Sequence, residues 1–280
     1  MSDSTEGLRL RKAISKEADE EDKNKNIHSD SDEESDYKEK NYRFTLMEEI
    51  LLIGLIDQEG YTSFWNDSIS TGLRGCILIE LALRDRIDLS QPARMSVNRP
   101  ITIKSSAPTG DGLLDEALRV ISSKLNNCTV SNIINYLSGE SWNIFYMNCQ
   151  LQNVRERIAK SLVDKGVLST EMKNFILFDM TTHPLKNPNV KAEIIEKINE
   201  ILVRRWNNDF EKMDMRNIAL VLLCNFSDVL DNALSQLPDA DYEIAHNRLV
   251  KLSNVDFHAL ASKGTKNDIY WAIFAAFKYH

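Results

Sequence analysis

The chain has 280 residues, 42% of them hydrophobic, and a formal net charge of −8, enough for one large domain or two small ones around a buried core. Residues 1–40 carry 13 acidic and 8 basic side chains, so −5 of the charge lies there and −3 in the rest. A body so close to neutral argues against broad adhesion to nucleic acid, which needs clustered Lys and Arg to displace phosphate counterions, while leaving room for a local basic pocket.

In chain order, residues 1–42 read as a disordered acidic tail, because a charge-dense stretch with almost no large apolar residue cannot offset the entropy of ordering. Within it, Ser29, Ser31 and Ser35 sit among acids, a context that suits acid-directed kinases and equally a plain solvated run, and Arg9, Arg11 and Lys12 form one short basic cluster. The first thirty residues hold no apolar core of a signal peptide, and runs such as "IALVLLC" fall far below the roughly 18 residues that span a bilayer. The expectation is a cytosolic protein whose membrane contact is peripheral.

The remainder, residues 43–280, reads as a mainly α, single compact helical domain with one or two short β-hairpins. Thr45 and Glu48 have capping-box spacing ahead of Ile50, Leu51, Leu52 and Leu55, and "DQEG" stops that helix. A second helix from about Ser70 is apolar nearly all round, which places it deep in the core. After a break with three of the six prolines, where "SVNRPITIK" suggests a short strand or hairpin, helical patterns dominate from residue 113 onward. They include "TVSNIINYLSG", "IFYMNCQLQNVRERIAKSLVDKG" as one continuous helix, and "RNIALVLLCNFSDVLDNAL". Between them "NFILF" reads as a strand of a hairpin.

The constellations of an enzyme are missing from the sequence. Cys76, Cys128, Cys149 and Cys224 have no C-x-x-C pairing and read as reduced, buried thiols. The five histidines have no ligand spacing with one another or with cysteine, so no metal site and no cofactor is expected. "TGDG" lacks the Lys-Ser/Thr of a phosphate loop and the third glycine of a dinucleotide turn, and reads as a turn leading into a helix.

Binding chemistry is left, and two segments carry it. In "SFWNDSISTGLRG", Trp65 lies beyond one helix and Arg74 near the start of the next, so a phosphate would meet a guanidinium, helix N-terminal N–H groups and an indole. Local sequence alone favours the plainer alternative, a Trp packed in the core and an Arg capping a neighbouring helix end. In "QLQNVRERIAK", Leu151, Val154, Ile158 and Leu162 form an apolar stripe bordered by Arg155, with Arg157 and Lys160 further round. This helix followed by a hairpin also reads as a winged-helix nucleic-acid module, against which stand Glu156, Asp164 and the near-neutral body.

The motifs "TLMEEILLIGL", "GYTSFWNDSIS.GLRG", "ILIELALR", "LLDEAL", "SGESWN", "VRERIAKSLVDKGVL" and "NFILFDMTTHP", in this order from about Thr45 to the C-terminus, resemble the Golgi phosphoprotein 3 family. The resemblance implies a central helical bundle, no catalytic activity, and a shallow pocket for phosphatidylinositol 4-phosphate. It also implies a peripheral protein on the cytosolic face of Golgi membranes, with a cytosolic pool. Such a protein binds glycosyltransferase cytosolic tails and coatomer for retrograde transport and Golgi retention, and some members engage cytoskeletal motors. The implied headgroup residues are Trp65, Arg74 and Arg155, together with Gln152 at a position normally basic in the family, so one cation is missing here. A hairpin implicated in self-association and in dipping into the bilayer falls on Glu171 to Thr182, with Phe175, Ile176, Leu177 and Phe178 as its apolar part.

Overall fold

The computed structural model describes residues 44–63, 66–90, 99–140, 143–175 and 178–278. The expected tail to residue 42, Trp65, Ile176 and Leu177 lie outside the described residues. The elements described below all lie within the unit Leu46–His280.

Helix α1 (Leu46–Gly54) runs into a two-stranded turn, β1 (Leu55–Ile56) and β2 (Tyr61–Thr62), and then into α2 (Ser68–Leu83). The latter is the hub of the fold. Its Ile69, Leu73, Cys76, Ile77, Leu78, Ile79 and Leu81 are fully buried, as an all-round apolar pattern requires. Burying each large side chain contributes about 1.5–3 kcal/mol, more than any local helix propensity.

Around α2 pack α1, α3 (Gly112–Lys124), α4 (Val130–Ser138), α5 (Val154–Asp164), α7 (Met215–Phe226) and the C-terminal α11 (Asp268–Lys278). Between these lie α6 (Pro188–Val203), α8 (Asp231–Leu234), α9 (Asp239–Ser253) and α10 (Phe257–Ala261). Helix starts follow side-chain capping. Asp111 accepts from the N–H groups of Leu113 and Leu114 at 2.8 and 3.1 Å, after the "TGDG" turn, and Asp214 accepts from Asn217 N–H at 2.9 Å.

Two glycines of α2 set how closely its neighbours approach. A Cβ on Gly72 would overlap the hydroxyl of Ser227 at the end of α7, and one on Gly75 would lie 2.6 Å from the Phe277 ring of α11. Phe277 in turn stacks on Phe226 at 5.1 Å. Two buried acids of α1 tie the outer helices to this centre. Glu48 accepts from Ser161 and Lys165 of α5 at 2.8 and 2.7 Å, and Glu49 meets Arg216 of α7 at 3.0 Å and Lys197 of α6 at 3.1 Å.

The break after α2 forms a hairpin, β3 (Ile87–Leu89) against β4 (Ile101–Ile103), so "ITI" is a strand. Three sequence expectations are corrected. The helix read from Ile144 to Lys165 is a 3-10 helix (Ile144–Cys149) and α5, with Asn153 at φ 52 between them. Leu151 is the reason: its N–H donates to Leu137 O and its carbonyl accepts from Arg74, so tertiary bonds take the place of helical ones. Next, "NFILF" is not one strand. Glu171–Phe175 (β5) pairs with Phe178–Thr182 (β6), from Glu171 opposite Thr182 to Phe175 opposite Phe178, so Phe175 and Phe178 belong to different strands. The hairpin itself has the expected Glu171 to Thr182 bounds. Last, "RNIALVLLCNFSDVLDNAL" breaks at Asp228, φ 53, into α7 and α8.

Candidate functional site

The first turn of α2 is built around Asn66. Its side-chain oxygen accepts from Ile69 N–H at 3.0 Å, and its amide donates to Ser227 O at 2.9 Å, pinning the start of α2 to the end of α7. Ser70 follows, and Arg74 lies one turn further along the same face. Arg74 is only 6% exposed. Its guanidinium donates to Ser70 O at 2.9 Å, to Leu137 O in the last turn of α4 at 3.3 Å, and to Leu151 O at 3.1 Å. The capping of a neighbouring helix end, open as an alternative in the sequence, is thus present in the structure.

Arg155, second residue of α5, reaches back to the same turn. It donates to Thr62 Oγ1 of β2 at 3.2 Å, to Asn66 O at 2.9 Å and to Ser70 Oγ at 2.8 Å. Ser70 therefore accepts from Arg74 through its carbonyl and from Arg155 through its hydroxyl. Each guanidinium uses three donors in these bonds and keeps two of its five N–H groups for another acceptor.

Neither arginine has an ion-pair partner among the described residues. Burial first, and then the nearby charge of Arg155, lowers the Arg74 pKa to about 10, against a smaller opposing pull from Glu140. Arg155 is also lowered by burial, opposed by Asp67. Two cations held together in a partly dry place, with Glu140 and Asp67 near but not ion-paired to them, have the chemistry to attract an anion.

Of the other cations on and just past α5, Arg157 pairs with Glu116 at 2.6 Å and Lys165 with Glu48 at 2.7 Å, while Lys160 is exposed with no ion-pair partner among the described residues; one such lysine is little of the basic face a nucleic-acid reading helix needs. Gln152 is exposed, precedes α5, and its amide donates only weakly to Gln150 Oε1 at 3.4 Å. It is not in the hydrogen-bonded cluster that joins Arg74 to Arg155. The two first-turn amides of α2 at Ile69 and Ser70 are already engaged, the latter with Asp67 O. Those of Val154, Arg155 and Glu156 in α5 meet no acceptor among the described residues. Among the described residues the N-terminus of α5 therefore has more open amides than that of α2, where the sequence reading placed the anion donors.

Thr62, Asn66 and Ser70 hold Arg155, and sequence reasoning did not single them out. Ser70 alone had a signal, as it lies four residues before Arg74 on a helix.

The β5–β6 hairpin is anchored to the turn that carries Thr62. His183 N–H, just past β6, donates to Gly60 O at 2.8 Å, and Lys173 of β5 pairs with Glu59 at 2.7 Å. Thr182 is fully buried at the hairpin base, whereas Met172 is 70% exposed. Among the described residues there is no group of three or more His, Cys, Asp or Glu able to hold a metal ion, and no helix long and apolar enough to cross a membrane.

Comparison with known proteins places this arrangement. The vacuolar protein sorting-associated protein 74 of Schizosaccharomyces pombe (strain 972) is 40% identical over 247 residues, which cover 81% of this chain and 73% of that one. Residues 46–266 match the family described as Golgi phosphoprotein 3 (GPP34). The matched span takes in α1, α2, α5, the hairpin and both arginines, and the chain belongs to the Golgi phosphoprotein 3 family, whose members are Golgi trafficking adaptors.

Proposed function

We propose that the protein is a non-catalytic peripheral adaptor on the cytosolic face of Golgi membranes. In this reading it holds the headgroup of phosphatidylinositol 4-phosphate at Arg74 and Arg155, with Trp65 against the lipid, and links glycosyltransferase cytosolic tails to coatomer for retrograde transport and retention. The observation that supports it most is the pair of guanidiniums bridged by Ser70 with no carboxylate partner among the described residues. A phosphomonoester would accept their spare N–H groups and relieve their mutual repulsion.

Gln152 contributes a neutral side chain where the family has a cation, so the affinity for the headgroup alone is weak. Losing one charge-assisted contact costs about 1.5–3 kcal/mol, or roughly tenfold to a hundredfold. Useful recruitment then requires several weak contacts on one surface: the headgroup, apolar side chains of the 171–182 hairpin, and a cargo tail, each raising the effective concentration of the others. The hairpin is in addition the element through which copies associate, and residues 1–42 form a tail outside the 43–280 domain.

Vesicle flotation tests the reading. Vesicles containing phosphatidylinositol 4-phosphate are expected to recruit the protein, less so as salt rises, and Arg155→Ala or Trp65→Ala is expected to weaken recruitment with the fold intact. Equal recruitment by neutral vesicles would overturn it. Phe175→Ser combined with Leu177→Ser is expected to lower self-association in sedimentation, and unchanged sedimentation would remove the hairpin from that role.

A further inference from the structure

The 3-10 helix Ile144–Cys149 leaves three large apolar side chains in solvent: Ile144 is 79% exposed, Phe145 89% and Met147 61%. With three residues per turn, side chains at i and i+3 lie above one another. Tyr146 and Cys149 make the inner edge, Tyr146 stacked on Tyr136 of α4 at 4.0 Å and Cys149 fully buried. Ile144 and Met147 make one outer edge, and Phe145 and Asn148 the other.

This turn is fastened on all sides. Asn143 caps it by accepting from Phe145 N–H at 3.1 Å, Lys124 Nζ donates to Asn148 O at 2.9 Å, and Leu151 just beyond is held by Leu137 and Arg74. The apolar edges are thus presented on a braced scaffold, and a patch of this kind marks an interaction surface.

The sequence from 141 to 154 has no charged residue, and the cation at the edge of the turn, Lys124, is exposed with no ion-pair partner among the described residues. Met147 is four residues from Leu151, so it lies within about 14 Å, Cα to Cα, of the carbonyl-bearing residue that Arg74 grips. A partner covering this region must offer an apolar phase for Ile144, Phe145 and Met147 and negative charge for Lys124 and the two unpaired arginines. An anionic bilayer leaflet does both at once.

We infer that the Ile144–Cys149 turn is a membrane-inserting wedge beside the anion site, embedding Ile144, Phe145 and Met147 below the headgroups while Lys124 stays at their level. It is a second apolar contact, separate from the 171–182 hairpin, and it rests on the membrane reading above. It supplies affinity where Gln152 supplies no charge.

The test uses the full-length chain and the triple variant Ile144→Ser, Phe145→Ser, Met147→Ser, whose sites are exposed so that thermal unfolding should match the parent. Three probes are compared: phosphatidylcholine vesicles containing phosphatidylinositol 4-phosphate, phosphatidylcholine vesicles containing phosphatidylserine, and a soluble inositol phosphate. Vesicle binding is expected to fall about 30-fold or more, while binding of the soluble probe stays unchanged. Equal flotation of variant and parent overturns the wedge, as does unchanged flotation with altered sedimentation, which would assign the patch to a second copy. If the parent ignores the inositol phosphate yet floats with phosphatidylserine vesicles, and the variant does not, the headgroup reading fails and the wedge stands. Recruitment of the parent to no vesicle overturns both.

Discussion

Replacing Arg74 with Met separates that side chain's structural hydrogen bonds from the anion-holding role proposed for it. Met keeps much of the stem's packing and removes the charge. The loss falls mainly on Leu151 O, which forfeits the donor Arg74 supplies, at about 1–3 kcal/mol; Leu137 O keeps the N–H of Leu151 at 3.0 Å. The gain is relief of a desolvated cation. The lowering of the pKa to about 10, due first to burial and then to Arg155, corresponds to about 3 kcal/mol against the charged form. The folded state holds this proton less tightly than the unfolded chain, so the penalty is complete at neutral pH and fades only as pH rises past about 10. The two effects nearly cancel, and Arg74→Met is expected to unfold in urea within about 2 kcal/mol of the parent at pH 7. The same titrations with an inositol phosphate at a hundred times its Kd should stabilise the parent by about 2.7 kcal/mol and the variant hardly at all. A loss above about 4 kcal/mol without ligand would show that Arg74 is a net stabiliser and that the empty site carries no electrostatic penalty.

Gln152→Arg is expected to strengthen binding to vesicles containing phosphatidylinositol 4-phosphate by about tenfold, by restoring a charge-assisted contact; equal or weaker flotation would count against Gln152 belonging to the headgroup site. Glu49→Gln removes the carboxylate that lies 3.0 Å from buried Arg216 and should cost about 3–5 kcal/mol in urea unfolding, most of it recovered by adding Arg216→Met. Independent losses that simply add would refute the pairing. Burial pushes the thiols of Cys76 and Cys224 well up, whereas Cys128 is half-buried. Iodoacetamide mapping at neutral pH should therefore find Cys128 modified first and those two silent until unfolding.

What the sequence reveals depends on whether the deciding interaction is local. The apolar run of α2, and the "TGDG" turn that leads into α3, are specified within a few residues and are legible as such. The break at Asn153 was not, because it exists only by virtue of what Leu137 and Arg74 do to Leu151, 14 and 77 residues away. For the same reason Thr62, Asn66 and Ser70 carried no sign of holding Arg155, which comes from 85 to 93 residues along the chain. The exposed turn at Ile144 was disguised by its apolar composition, which reads as one face of a longer helix until the 3-10 geometry turns those residues outward.

The glycine pair of α2 has a consequence for recognition. Because Gly72 and Gly75 bring Ser227 and Phe277 into direct contact with the backbone of α2, this helix has no slack to rotate or slide without collision. Ser70 and Arg74 are carried on that same segment. Their positions are set when the chain folds, so on the proposed function an arriving anion would find its donors already aimed and would spend little free energy on ordering them. Association should then behave as docking onto a fixed surface, fast and with a small heat-capacity change at the headgroup, and whatever adaptability the protein needs for varied partners must come from other elements.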